Sequence, residues 1–262
     1  MAAAEQSNKN NQTSRGAQRL QILSCNILAG GSVRRYRHYV TESWQHVLPT
    51  KSKRGNLDRF AELLADFDLV GLQEADAGSL RSGFLNQTQY LAEAAGFPYW
   101  SHQPNRKIAQ FAASSNGLLT RRKPEAVFDY PLPGSIPGRG ALWARFGAGA
   151  DELIVVIAHL SLGPAARRRQ LEFIAELVGH HPRTVLMGDL NCGLETREMQ
   201  GLLGATSLRP ARQPPPTFPS WQPRRAIDHI LVSPGLQIEQ LWTLPHPVSD
   251  HLPLAATIVR MD

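Results

Sequence analysis

Met187-Gly188-Asp189-Leu190-Asn191, read together with Ser249-Asp250-His251-Leu252-Pro253-Leu254, decides how this chain is organised. Each stretch sets acid, amide or imidazole groups directly beside an apolar run of strand character, the place where the rigid end of a sheet holds reactive side chains. Core packing explains neither. Working outward, the same arrangement recurs: Asn26 follows the apolar run 20–25, Glu74 follows 68–73, His159 follows 153–158, and Asp228 stands in 227–233. An isolated Asp-Leu-Asn is often only turn chemistry, because Asp and Asn satisfy their own backbone. A series of such groups beside successive apolar runs calls for another reading.

The apolar runs predict strands at 115–120, 141–146, 153–158, 184–188, 227–233, 236–244 and 254–260, besides those before Asn26 and Glu74. A helix is expected over 57–64, where apolar residues recur at helical spacing and Asn56 offers an N-cap. A second helix starts at Pro164, with Leu171, Ile174 and Leu177 or Val178 on its apolar face and Arg167, Arg168 and Arg169 in water. This mixture predicts an α/β protein of two packed sheets flanked by helices. The 262 residues show no Gly/Ser- or Pro-rich linker, so a single domain over 19–262 is expected. Residues 1–18 carry almost no large apolar side chain and read as a disordered tail, without the apolar segment of a signal peptide. No run spans a bilayer, and Cys25 and Cys192 support no disulfide framework, so a cytoplasmic monomer is expected.

In order along the chain, Ser24-Cys25-Asn26, Gly71-Leu72-Gln73-Glu74, Asn116-Gly117-Leu118-Leu119-Thr120-Arg121, Ala158-His159-Leu160, Gly188-Asp189-Leu190-Asn191, Ile227-Asp228-His229-Ile230-Leu231 and Ser249-Asp250-His251 resemble the motifs of the endonuclease/exonuclease/phosphatase superfamily. These are metal-dependent phosphodiesterases and phosphatases that include pancreatic-type deoxyribonuclease, abasic-site endonucleases, bacterial sphingomyelinases and inositol-polyphosphate 5-phosphatases. The resemblance covers nearly the whole chain, and it implies a four-layer α/β sandwich with two mixed sheets. The superfamily is broad in substrate.

Phosphodiester cleavage builds negative charge on an anionic substrate and needs positive charge, a base and help for the leaving group. Glu74 suits a hard cation, Mg²⁺ or Mn²⁺, with Asn26 contributing a second oxygen and Asp250 placed near the metal by resemblance. Certain abasic endonucleases carry an acid two positions after Asn26, but Leu28 stands here, so that pairing is excluded. His251 is the acid/base candidate with Asp228 as its orienter, the two expected within hydrogen-bond distance on neighbouring strands. Asp189 activates water or positions the metal, and Asn191 donates to a phosphoryl oxygen. His159 is placed by resemblance as a second imidazole at the phosphate or leaving group. Whether Asp189 or His251 is the base stays open at this level.

Twenty-eight Lys and Arg against 22 Asp and Glu give a net charge of +6, which suits a polyanionic partner or an acidic lipid surface. Arg34, Arg35 and Arg37 lie with Tyr36, Tyr39 and Trp44 in the long interval after Asn26 and are expected, with Arg121, to contact substrate. The segment 34–54 is expected as a surface loop at the rim of the cleft. Nucleic acid leads as substrate; a phospholipid or sugar-phosphate head group is the alternative. A silent binding module on the same fold would have lost a site residue, and none is missing.

Overall fold

Residues 19–28, 51–79, 82, 84–108, 112–134, 138–179, 181–245 and 248–261 are described by the structure, a computed structural model. The tail 1–18 and the segment holding Arg34, Arg35 and Arg37 lie outside the described residues. Two βαβ units organise the rest. In the first, β1 (Arg19–Asn26) leads through α1 (Lys51–Leu64) to β2 (Leu69–Asp76), which pairs parallel to it with Cys25 opposite Leu72. In the second, β7 (Leu153–His159) leads through α3 (Pro164–Val178) to β8 (Thr184–Asp189), again parallel, with His159 opposite Asp189. These four strands are buried on both faces, which is why they read as continuous apolar runs.

Antiparallel strands extend each pair. The first sheet runs β11 (Leu236–Thr243), β12 (Leu254–Arg260), β1, β2, β4 (Ala112–Thr120), β3 (Tyr99–Ile108). The second runs β5 (Ala126–Pro131), β6 (Gly140–Phe146), β7, β8, β10 (Asp228–Val232), β9 (Arg209–Pro210). The inner faces meet in a core that includes Ile22, Leu118, Leu142, Val155, Met187 and Ile258. On the outer face of the first sheet, Leu57, Phe60, Ala61 and Leu64 of α1 and Leu91 of α2 (Gln87–Ala94) pack on Val70 and Leu72. On the other, Leu171, Ile174 and Val178 of α3 and Met199 and Leu202 of α4 (Arg197–Ala205) cover Val156 and Leu186. The layers are therefore helix, sheet, sheet, helix, the expected sandwich.

Several local expectations change. The first helix begins at Lys51, so Asn56 lies within it rather than capping it, and 51–54 are helical rather than loop. Arg167 is buried, not wet: it ion-pairs with Glu198 of α4 at 2.6 Å, while Arg168 and Arg169 are exposed as expected. Strands β3 and β5 and helices α2 and α4 went unpredicted. Both missed long strands are sheet edges; β3 is polar and carries Pro104 at a register shift, which an edge tolerates. Among the described residues no helix is long and apolar enough to cross a membrane. Both cysteines are buried and free.

Candidate active site

The carboxyl ends of the four parallel strands converge at one pole of the sandwich, and each delivers a polar side chain. Asn26 ends β1 and Asp189 ends β8; although they belong to different sheets, Asn26 Nδ2 donates to Asp189 Oδ2 at 3.1 Å. His159 ends β7, with Nε2 3.4 Å from Asp189 Oδ2 and 3.8 Å from Glu74 Oε1. Glu74 comes from β2 through a bulge: the pairing with β4 shifts between Leu72 and Ala75, and Glu74 takes a φ of 57°. That extra residue turns the carboxylate out of the ladder while Gln73 stays fully buried, bonded to Ser24. A non-glycine residue in the left-handed region costs energy that the fold must repay elsewhere. Asn191 shares this conformation, at 55°.

Gly188 shows why the second sheet is built as it is. Its φ is 146°, and a Cβ there would sit 1.9 Å from the carbonyl oxygen of Ala158. Only glycine lets β8 approach β7 closely enough to set Asp189 beside His159. Asp189 Oδ1 then accepts from the backbone N–H of Asn191 at 3.0 Å. Asn191 is committed on one side: its Nδ2 donates to the carbonyl of Leu160 at 2.9 Å, fixing the turn after His159, where a phosphoryl contact was expected.

Asp228 opens β10 directly opposite Asp189 in the antiparallel ladder. Two buried carboxylates facing one another are destabilising unless positive charge is supplied. His251 supplies it, donating from Nδ1 to Asp228 Oδ2 at 2.8 Å with Nε2 3.8 Å from Asp189. The pair forms as expected but on facing sheets rather than neighbouring strands, since His251 precedes β12 of the first sheet. Burial works against the charge on His251, yet Asp228, Asp189 and Asp250 outweigh it and raise the imidazole from 6.5 to about 10. Asp189, buried and facing Asp228 and Glu74, is pushed up to about 7 despite His251 and Asn26. His159 moves the other way: burial, then Arg139 and His251, hold it well below the ordinary value, so it is neutral.

Three side chains at this pole carry no motif of their own. Thr217 donates to Asp228 Oδ2 at 2.5 Å, Phe218 packs its ring 5.0 Å from that of His251, and Arg139 lies 2.7 Å from His159 Nδ1. Arg139 stands in a Pro-Gly-Arg-Gly connection and Thr217 in a proline-rich one, where sequence offers no periodicity to interpret. Asp250 is partly buried, which raises its carboxyl, and Glu74 adds to the effect.

Asp189, Asp228 and His251 bring ligand-type atoms within 4.8 Å of one another. His251 gives its Nδ1 to Asp228, so its Nε2 and the remaining carboxylate oxygens are what this trio can offer to a ligand or a proton. Glu74 raises the carboxyls of both Asp189 and Asp250, and Asp228 Oδ1 is buried without a hydrogen-bond partner among the described residues. This excess of carboxylate oxygen fits a hard divalent cation; the amide oxygen of Asn26 accepts from the backbone N–H of Leu28 at 3.1 Å.

Arg121 is not brought to the site. Its guanidinium caps the carbonyls of Phe67, Ala65 and Gly96 at 2.9, 2.6 and 3.3 Å and lies over the Phe97 ring. Thr120 beside it pairs with Leu69, the first residue of β2, so Arg121 stands at the pole away from Glu74. It is a structural clasp between α1, α2 and β4.

No curated protein sequence matches the chain. Solved structures with the same fold include an endonuclease/exonuclease/phosphatase protein from Beutenbergia cavernae, 18% identical, with a TM-score of 0.73 over 92% of this chain and 72% of that one. A mannosyl-6-phosphatase from Bacteroides thetaiotaomicron is 18% identical, with a TM-score of 0.65 over 92% of this chain and 99% of that one. TDP2 from D. rerio, complexed with single strand DNA product, is 16% identical, with a TM-score of 0.63 over 92% and 98%. At these identities the likeness speaks to fold alone. The profile of the Endonuclease/Exonuclease/phosphatase family matches residues 23–251, and the chain belongs to that family.

Proposed function

We propose that this protein is a divalent-metal-dependent phosphoesterase that hydrolyses a phosphodiester by in-line attack of water, with nucleic acid as the leading substrate. The observation that carries the reading is the Asp228–His251 pair at 2.8 Å, aimed at Asp189 across the seam between the sheets. A charged imidazole fixed by a carboxylate donates from Nε2 to a phosphoryl oxygen and stabilises the charge that grows there. Asp189, held in place by Asn26 and the Asn191 N–H, accepts the proton of the attacking water. Neutral His159, within reach of Asp189 and Glu74, serves the phosphate or the departing oxygen. Glu74 and Asp250, with the Asn26 amide oxygen, hold Mg²⁺ or Mn²⁺, which supplies Lewis-acid polarisation of the phosphoryl group. The net charge of +6 favours encounter with a polyanion.

A metal-supplemented screen over DNA, RNA, phospholipids and sugar phosphates tests this. Hydrolysis is expected to vanish with a chelator, to return with Mg²⁺ or Mn²⁺, and to be fastest on oligonucleotides. Full turnover in the chelator would overturn the metal role. Faster turnover of a sugar monophosphate, the class of substrate that the mannosyl-6-phosphatase relative is named for, would replace the nuclease reading with a phosphatase one.

A further inference from the structure

At the pole opposite Asp189 lies a pocket of about 230 Å³ between the sheets. Its floor is apolar, formed by Leu20, Leu153, Val185, Leu236 and Ile258, and is continuous with the inter-sheet core. Leu20 stands near the start of β1 and Asn26 at its end, so at ~3.3 Å per residue the pocket is ~20 Å from the candidate active site. Arg122, Arg183 and Arg260 line its mouth with one acid, Asp151.

Part of this charge is structural. Arg260 bonds Asp151 Oδ1 at 2.5 Å and the Ala150 carbonyl at 3.0 Å, and Arg183 bonds the Glu152 carbonyl at 3.1 Å and also the Ala150 carbonyl. These contacts fasten the turn Gly149–Asp151 to β8 and β12 and leave cationic capacity over. Exposed Arg122 has no side-chain hydrogen bond among the described residues, and Arg260 Nε is buried without a partner among them. Arg122, Arg183 and Arg260 line the same pocket as Asp151 and each lowers its carboxyl, Arg260 most through its direct hydrogen bond. Three cations against one anion leave an excess of two positive charges at the mouth.

We propose that this pocket binds a small single-chain amphiphile whose aliphatic tail enters between the sheets and whose anionic head meets Arg122, Arg183 and Arg260. The cavity has room for a short aliphatic chain. A free anion would leave the floor unfilled. A neutral chain would leave the arginines unmatched.

The test titrates the full chain, in chelator, with octanoate, octanol and acetate, by calorimetry and by the methyl resonances of Leu20, Val185 and Ile258. Octanoate is expected to bind saturably at one site, shifting those methyls, and about tenfold or more tighter than either control. Arg122→Ala, at an exposed position that leaves the fold intact, should weaken octanoate about fivefold and leave octanol unchanged. Leu236→Trp should fill the slot and remove binding. Octanol binding as tightly as octanoate would show that no head group is recognised. Equal shifts with acetate would reduce the site to a surface cation patch, and absence of saturation, or shifts confined to the Asp189 pole, would remove it. Each of these outcomes overturns the proposal and leaves the phosphoesterase reading untouched.

Discussion

Replacing Asp228 by Asn keeps the volume at the start of β10 and removes one charge. His251 carries its proton because Asp228, Asp189 and Asp250 together outweigh the cost of burying an imidazolium, lifting its pKa from 6.5 to about 10. An opposite charge within contact distance shifts a pKa by about 1–3 units, so Asp228→Asn should lower that of His251 by about that much, worth ~1.4–4 kcal/mol. The folded state binds this proton more tightly than the unfolded chain. Its stabilisation is therefore full below pH 6.5 and is lost as pH rises through about 10. Asp189, raised from 3.8 to about 7, gives a loss of the same sign at lower pH, and the buried thiols of Cys25 and Cys192, both raised from 9.0, give one above pH 9, which leaves the window between pH 7 and 9 to His251. Metal-free wild type should lose stability across pH 7–9, and the variant should lose less because it has less to lose. With the ring no longer oriented and held charged by a carboxylate, kcat should fall ~10²–10⁴-fold. Ring-proton titration in chelator, urea denaturation at pH 7 and 9, and turnover at saturation check these outcomes. A His251 titration unchanged in the variant, with kcat within threefold of wild type, would refute the role given to the pair.

Glu74→Gln should remove most turnover and lower Mg²⁺ affinity in calorimetry while the thermal midpoint in chelator stays within a few degrees; unchanged metal affinity would dismiss it as a ligand. Gly188→Ala forces a Cβ against the Ala158 carbonyl in a strained backbone and should cost more than about 4 kcal/mol or prevent folding, measured by denaturation. Arg121→Ala should cost ~1–2 kcal/mol of stability through its lost carbonyl and ring contacts and leave KM unchanged. Neutralising Arg34, Arg35 and Arg37 together should instead raise the oligonucleotide dissociation constant and flatten its salt dependence, with kcat preserved; equal binding by that variant would make the segment a bystander.

How far the fold is visible in the amino-acid order depends on how each strand is buried. β1, β2, β7 and β8 lie in the middle of their sheets with both faces covered, so selection for apolar side chains acts at every position and the runs stand out. β3 and β5 are edges. Trp100 and Phe128 are partly exposed there, Pro104 falls at a shift in register, and neither strand alternates cleanly enough to be distinguished from loop. The start of α1 is hidden for a related reason: the sequence holds no apolar side chain over 51–56, so hydrophobic spacing begins only at Leu57.

The site follows a rule of polarity that sequence reading applied only in part. For β1, β2, β7 and β8, which all run toward one pole, the exits of the apolar runs meet at the candidate site: Asn26, Glu74, His159 and Asp189. β10 runs antiparallel to β8 and β12 antiparallel to β1, so the end facing that pole is their entrance. Asp228 opens β10 and His251 precedes β12, and both reach the site. β4 is antiparallel to β2 as well, which sends the exit of its motif, Arg121, to the wrong pole and leaves Asn116, farther back in the strand, toward the right one. There the Asn116 amide bonds the carbonyl of Gly140, and Gly140 pairs with His159, so Asn116 braces the two sheets beside the histidine. Strand direction is a property of pairing, which no single run of residues carries. That is why the acids and histidines that meet at this pole stand at legible ends of apolar runs, while the arginine beside an equally good motif lies at the other pole.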